Sequence, residues 1–166
     1  MKKILLLSDT HSYIDGRILH HAEKADEIWH AGDIGNLKVT DLLGQKNKLR
    51  GVYGNIDDEE ARRTFPLDNR FTLEGVDVWM THIGGYPGRY DRRIFNEINQ
   101  NPPDLFISGH SHILKVMRDK KRNLMHFNPG AAGNHGFHKV RTMIRFELNN
   151  GKIENPEVIE LAKRGK

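Results

Sequence analysis

The sequence predicts an α/β fold, on three observations. A short, wholly apolar run, Ile4 to Leu7, is closed at once by Ser8-Asp9. Segments with helical spacing of apolar residues then alternate with further strand-like runs. The second half of the chain turns strand-rich and carries two-residue hairpin turns.

The elements follow in order. "KKILLLSD" has no polar interruption in its apolar stretch, the pattern of a strand buried on both faces. "DGRILHHAEKADE" places Ile18, Leu19, Ala22 and Ala25 at helical spacing behind Asp15, whose carboxylate suits an N-cap. "EIWHAGD" reads as a second strand, "LKVTDLLGQ" as a second helix ending near Gly44, and "KLRGVYGN" as a third strand, which completes βαβαβ. "RFTLEGVDVWMTH" is two alternating runs joined at Glu74-Gly75, a hairpin signal. A helix is expected over about 89–99, and after "NPPD" come the strands "LFISGH" and "LKVMRDKKRNLMHF". "RDKKR" inside the latter reads as a solvated turn. The closing segment "VRTMIRFELNNGKIENPEVIEL" is a hairpin about Asn150-Gly151. Long loops are expected only near 83–92 and 129–138.

Composition bounds the function. The 166 residues suit one domain, expected to span 1–166, and 37% hydrophobic with 29% charged residues describes a globular chain. The apolar run after "MKK" is too short for an export signal, and no run reaches the eighteen or so residues of a membrane span, so a cytoplasmic location with no membrane partner is expected. With no cysteine, disulfides and thiolate ligands are excluded, and any metal must be held by nitrogen and oxygen donors. The 26 Lys+Arg against 22 Asp+Glu are interspersed. Nucleic acid is therefore a partner without a supporting motif, while an anionic substrate is compatible.

The chemistry-capable residues share one topological address. Asp9-Thr10-His11, Gly32-Asp33, Gly54-Asn55, Thr81-His82 and Gly109-His110-Ser111-His112 each follow a predicted strand. In open α/β sheets the carboxyl ends of the strands face a common crevice, so these clusters are expected to converge. Asp, His and Asn donors suit divalent manganese, iron, zinc or nickel. The two histidines of "GHSH" are expected to point to one side of an extended segment. Asp33 has two oxygens and can bridge two cations. Asp57 is expected to serve the turn after Asn55 by hydrogen bonding instead of ligating.

These residues also carry a resemblance. The order Asp9-x-His11, Gly32-Asp33, Gly54-Asn55-x-Asp57, His82 and Gly109-His110-x-His112 resembles the calcineurin-like metallophosphoesterase superfamily over roughly residues 4–131. "NPGA" at 128–131 is similar to its compact bacterial and archaeal phosphodiesterase branch, which in turn resembles the eukaryotic retromer scaffold subunit. The resemblance implies a four-layer αββα sandwich with two mixed sheets. It implies two divalent metals, Mn²⁺ foremost, with Asp9, His11, Asp33 and His112 on one and Asp33, Asn55, His82 and His110 on the other. Asn55 and His110 would act in catalysis, with hydroxide generated on the metal pair attacking a phosphate ester. Larger relatives place a histidine after that asparagine; here Ile56 stands there, so diesters with acidic leaving alcohols are the expected substrates. A second departure is "HIGGYPG", which lacks the Gly-His pair that branch members often carry.

Other residues have plainer readings. His20, His21 and His30 lie in predicted helix or strand and are expected to be solvated or packed, and His126 to pack in a strand. His135 and His138, in "AAGNHGFH", are candidates to approach substrate, and Arg89, Arg92 and Arg93 to meet phosphate, although a helix-start surface position is the simpler expectation. The expected partner is a small phosphodiester or phosphate ester, with a homodimer compatible. The competing classes are a protein-interaction scaffold of the same fold with a vestigial metal pocket, and a nuclease or nucleic-acid binder.

Overall fold

A computed structural model describes the whole chain, Met1–Lys166. The predicted βαβαβ unit is present as β1 (Lys2–Leu7), α1 (Gly16–Ala22), β2 (Glu27–His30), α2 (Lys38–Lys46) and β3 (Lys48–Gly51). A short helix α3 (Glu59–Thr64) leads to the hairpin β4 (Asp68–Leu73) and β5 (Val76–Thr81). A small hairpin, β6 (Gly85–Tyr86) and β7 (Arg89–Tyr90), precedes α4 (Arg92–Gln100). The chain finishes with β8 (Leu105–Ile107), β9 (Lys115–Asp119), β10 (Leu124–Asn128), β11 (Val140–Asn149) and β12 (Lys152–Lys163).

These strands make two mixed five-stranded sheets, in the orders β12-β11-β1-β2-β3 and β4-β5-β8-β10-β9. In the first, β1, β2 and β3 run parallel while β11 pairs antiparallel with β1. In the second, β5, β8 and β10 are parallel and the edge strands β4 and β9 are antiparallel. The period-two alternation of β1 sorts the core. Ile4 and Leu6 join Val78, Met80, Leu105, Ile107 and Phe127 between the sheets, whereas Leu5 and Leu7 meet Ile18 and Ala22 of α1 and Val39 and Leu43 of α2. On the far side of the second sheet, Trp79, Phe106 and Leu124 pack on Ile94 and Ile98 of α4. Helices, sheet, sheet and helix thus stack in four layers, the αββα sandwich. No helix is long and apolar enough to cross a membrane.

Four details depart from the sequence-based expectation. The helix expected from about residue 89 starts at Arg92, because Arg89 and Tyr90 pair with Tyr86 and Gly85, and the Asp91 carboxylate caps the helix by accepting from Arg93 N–H at 2.9 Å. Helix α2 continues past Gly44 to Lys46. Helix α3 was not expected: "EEARRT" buries only Ala61, so it has no apolar period to read, and Asp58 caps it at 3.0 Å. Strands β2 and β3 stop at His30 and Gly51, short of the predicted runs, because the next residues turn out of the ladder. Both predicted hairpin turns are present. Glu74 and Gly75 have φ of 51° and 76°, and Asn150 and Gly151 have 48° and 78°, the left-handed pairs that a two-residue turn requires.

Candidate metal centre

The five polar clusters meet at the carboxyl ends of β1, β2, β3, β5 and β8. Parallel strands and the shared sandwich bring them to one edge, as the topology predicts. The close approach is enforced locally. Gly32 has φ 98°, and a Cβ there would come within 2.6 Å of the His82 ring; a Cβ at Gly54 would overlap the Asp33 carboxylate. Five of the seven candidate ligands, Asp9, His11, Asp33, His110 and His112, themselves have left-handed backbones, with φ from 44° to 68°. Such conformations cost about 1 kcal/mol or more each for residues with a Cβ, and they concentrate at functional sites.

Hydrogen bonds decide which oxygen of each carboxylate faces the centre. Asp9 is fully buried; its Oδ2 accepts from the Ser8 hydroxyl at 2.7 Å and from His110 N–H at 3.1 Å. That leaves Oδ1 without any hydrogen-bond partner, facing the Nε2 atoms of His112 at 3.1 Å, His11 at 3.8 Å and His82 at 3.9 Å. Asp33 repeats the arrangement. Its Oδ1 accepts from Ile56 N–H at 3.1 Å, and its Oδ2 faces His82 Nε2 at 3.2 Å and His11 Nε2 at 3.4 Å. His82 Nδ1 donates to the Ala31 carbonyl at 2.7 Å, so the neutral ring aims a lone pair at those carboxylates. A lone pair and a carboxylate oxygen at that distance repel unless a proton or a cation lies between them.

The donors fall into two groups, Asp9 with His11 and His112, and Asp33 with His82 and His110. Asn55 Oδ1 lies 3.0 Å from His110 Nδ1, which adds an amide oxygen to the second group. Asp33 Oδ2 reaches toward both, through His11 on one side and His82 on the other. The unpartnered, buried Asp9 Oδ1, His11 Nε2 and His82 Nε2 are what a divalent cation would satisfy, and the oxygen and nitrogen donor set suits a borderline metal. Burial by itself would raise the Asp9 carboxyl, but the imidazoles of His11, His112 and His82 beside it and the Ser8 hydroxyl outweigh it and hold the group below the usual carboxylate range. Burial would likewise lower His82, and the Asp33 and Asp9 carboxylates overcome it and raise the imidazole.

"GHSH" works differently from expectation. His110 and His112 both have positive φ, so the segment is not extended, and its turn sends one ring to each of the two donor groups. Asp57 stands where its turn reading put it. Its carboxylate accepts from Gly54 N–H at 2.7 Å, Gly35 N–H at 2.8 Å and Ile34 N–H at 3.2 Å, tying the Asn55 turn to the Asp33 loop. His135 stacks on His11 with centroids 4.6 Å apart, and His138 lies edge-on to His112 at 5.2 Å while its Nε2 meets the Gly133 carbonyl. Arg89 is exposed in the β6/β7 hairpin, and Arg93 is committed to Asp68 and to the Thr81 hydroxyl.

Two supporting residues escaped the sequence reading. Ser8 reads in the sequence only as the polar end of a strand, and its hydroxyl holds Asp9 Oδ2. His30, expected to be a solvated or packed ring, is fully buried; its Nδ1 accepts from Gly32 N–H at 3.1 Å and its Nε2 meets the Thr10 hydroxyl at 2.9 Å, joining the Asp9 and Asp33 loops. Since the Thr10 hydroxyl donates to the Ile34 carbonyl, Nε2 of His30 carries the proton. The available signal was a lone imidazole inside an otherwise buried apolar strand.

The chain is 29% identical over 164 residues to a protein of Mycoplasma pneumoniae named "Probable metallophosphoesterase", covering 93% of this chain and 95% of that one. Among solved structures, a "Novel Archaeal Phosphodiesterase" superposes with a TM-score of 0.75 at 19% identity, covering 96% of this chain and 99% of the other. Vps29 of Chaetomium thermophilum superposes with a TM-score of 0.75 at 16% identity, over 99% of this chain and 100% of the other. The calcineurin-like phosphoesterase superfamily domain matches residues 1–151, which contain every candidate ligand, and the chain belongs to that superfamily.

Proposed function

We propose that the protein is a phosphodiesterase that uses two divalent cations, with Asp9, His11, Asp33 and His112 holding one and Asp33, Asn55, His82 and His110 the other. The observation that carries this reading is the pair of carboxylate oxygens ringed by imidazole nitrogens, Asp9 Oδ1, buried without a hydrogen-bond partner, and Asp33 Oδ2 between His11 and His82. Mn²⁺ is the favoured ion, with Ni²⁺, Fe²⁺ and Zn²⁺ as alternatives that the same donors accept. When bound, such a pair supplies an activated water at neutral pH and neutralises charge on a phosphate. The chain's own residues do the rest. Asn55 turns its amide oxygen toward His110, which leaves the amide N–H₂ to donate to a phosphate oxygen. His110 is held against Asn55 by that contact, and its backbone N–H fixes Asp9.

Ile56 has no proton to give, and its side chain is exposed beside Asn55. A leaving alcohol must depart without a proton from that position, which favours diesters with acidic leaving groups over alkyl monoesters. In excess Mn²⁺, a bis-aryl phosphodiester is expected to turn over faster than the matching aryl monoester; a large monoester preference sinks the diesterase assignment. Asp33→Asn or His112→Ala is expected to abolish turnover while circular dichroism stays unchanged, and chelation to do the same reversibly. Metal affinity should also fall as the pH drops through the imidazole range, because a proton on His82 competes with the cation.

The likeness to Vps29 favours a second reading, an interaction scaffold whose metal pocket has no catalytic task. All seven ligand positions are filled, which places the enzyme first. A protein that binds Mn²⁺ yet hydrolyses no ester across a panel of mono- and diesters would reverse that order.

A further inference from the structure

Asn128 closes β10 and is buried, and both polar atoms of its amide are bonded. Its Oδ1 accepts from Gly130 N–H at 3.0 Å, an Asx turn closed over Pro129. Its Nδ2 donates to the Gly109 carbonyl at 3.0 Å and to the Ser111 hydroxyl oxygen at 3.1 Å. The amide cannot be turned over, because Gly130 N–H only donates and the Gly109 carbonyl only accepts. The rest of "NPGA" anchors this side chain. The proline at 129 favours an extended backbone at Asn128, and its carbonyl accepts from the Thr142 hydroxyl at 2.6 Å. Gly130 has φ 72°, and a Cβ there would overlap Thr142 Oγ1.

The two acceptors flank His110. Ser111 N–H also donates back to the Gly109 carbonyl at 2.8 Å, which closes a three-residue turn about His110, whose φ is 68°. A γ-turn with positive φ at its centre is the rare and strained kind, and such backbone persists only where its surroundings hold it. His112 repeats the positive φ at 60°, and the Ser111 hydroxyl spans it by accepting from Ile113 N–H at 3.2 Å. On the other side the turn is pinned to the site, since Gly109 N–H donates to the His82 carbonyl at 3.0 Å and a Cβ at Gly109 would overlap Ser8 Oγ. Relaxed to an extended segment, residues 110 and 112 would point their rings to one side. Held in the turn, one ring goes to each donor group.

We propose that Asn128 is a positioning residue for both cation sites: its amide holds the strained turn at Gly109, His110 and Ser111, and so assigns His110 to one donor group and His112 to the other. It bonds to no candidate ligand and acts through Gly109 and Ser111. This rests on the two-cation reading and adds the residue that keeps the two histidines apart. The competing reading is a buried amide that serves the fold and nothing else.

The test uses the full chain as wild type, Asn128→Ala, Asn128→Asp and Ser111→Ala. Asn128→Asp keeps the shape and the acceptor for Gly130 N–H and loses the donor. Ser111 is exposed, so its variant reports on the turn even where a substitution of the buried amide fails to fold. Calorimetry counts the Mn²⁺ sites and their affinities, and electron paramagnetic resonance reads whether the bound ions are coupled as a pair. In metal-free protein, backbone chemical shifts of His110 and His112 report their φ. Wild type should bind two coupled Mn²⁺ ions. Both Asn128 variants should weaken both ions by about 10- to 100-fold, the usual effect of losing a hydrogen bond behind a ligand, lose the coupled signal and move both histidines toward extended shifts. Ser111→Ala should weaken both ions by about two- to tenfold, the worth of one neutral hydrogen bond. A coupled pair held at wild-type affinity in Asn128→Asp overturns the proposal whatever its urea midpoint, as does weakening confined to one ion; where the Asn128 variants do not fold, wild-type affinity in Ser111→Ala overturns it. Wild type that binds the pair while the folded variants match it condemns this inference alone. Wild type that binds no pair condemns the two-cation reading and this inference with it.

Discussion

Ser8 shows how one hydroxyl can set a metal ligand. By occupying Asp9 Oδ2 it turns the bare Oδ1 inward. Ser8→Ala is expected to lower Mn²⁺ affinity by about 10- to 100-fold, the usual effect of removing a hydrogen bond behind a ligand, with no comparable change in urea stability. Calorimetric titration of the metal would measure it. His126 makes a pH-dependent contribution of a different kind. It is buried, donates from Nδ1 to the Phe106 carbonyl at 3.1 Å and stacks on the Phe106 ring, and burial pushes its pKa down to about 4. The unfolded chain then binds a proton that the folded one refuses between about pH 6.5 and 4, so stability is full above that window and is lost as the pH falls through it. Between pH 7 and pH 5 this group should cost about 2 kcal/mol, read as the difference in urea midpoints between wild type and His126→Phe.

At the scale of elements, the site is made by loops that leave the ends of strands, and Asp57 is the clamp between two of them. Its carboxylate collects three backbone N–H groups from Ile34, Gly35 and Gly54. Asp57→Ala would strand those donors, and a loss of roughly 2 to 4 kcal/mol of stability is expected in chemical denaturation, together with weaker metal binding because Asp33 and Asn55 would lose their register. Much of this layer was legible in the sequence. "KKILLLSD" announced a strand buried on both faces, Asp15 capped its helix as its carboxylate suggested, and both two-residue hairpins carried their turn residues openly. Helix α3 and the β6/β7 hairpin were not legible, since each buries too little to leave a period. The aim of the "GHSH" rings was not legible either, because left-handed φ at His110 and His112 replaces the alternation of an extended strand.

Across the whole molecule, Arg141 ties distant parts of the chain together. It is fully buried and donates to the Ala132 and Lys166 carbonyls and to Asp15 Oδ2 at 2.8, 3.1 and 3.0 Å, with its guanidinium over the Tyr13 ring. It thereby links β11 to the loop near 129–138, the cap of α1 and the end of the chain. Arg141→Ala should destabilise by about 3 to 5 kcal/mol, because the Asp15 carboxylate and two carbonyls lose a buried partner. Thermal unfolding would check it. The inter-sheet core makes a simpler demand: Met80→Ala, at a fully buried position facing Ile4 and Leu6 across the sandwich, should cost about 2 to 5 kcal/mol.

The sequence by itself determined the α/β order of elements, the strand-end address of the polar clusters and the chemical types of the seven candidate ligands. Those are local properties, carried by periodicity, turn residues and side-chain chemistry. Only the tertiary structure decided which carboxylate oxygen faces the centre, that His30 and Ser8 stand behind it, and that Gly136 presses on His112. These depend on contacts between segments far apart in the chain, where burial and the satisfaction of hydrogen bonds fix orientations that no single stretch of residues encodes.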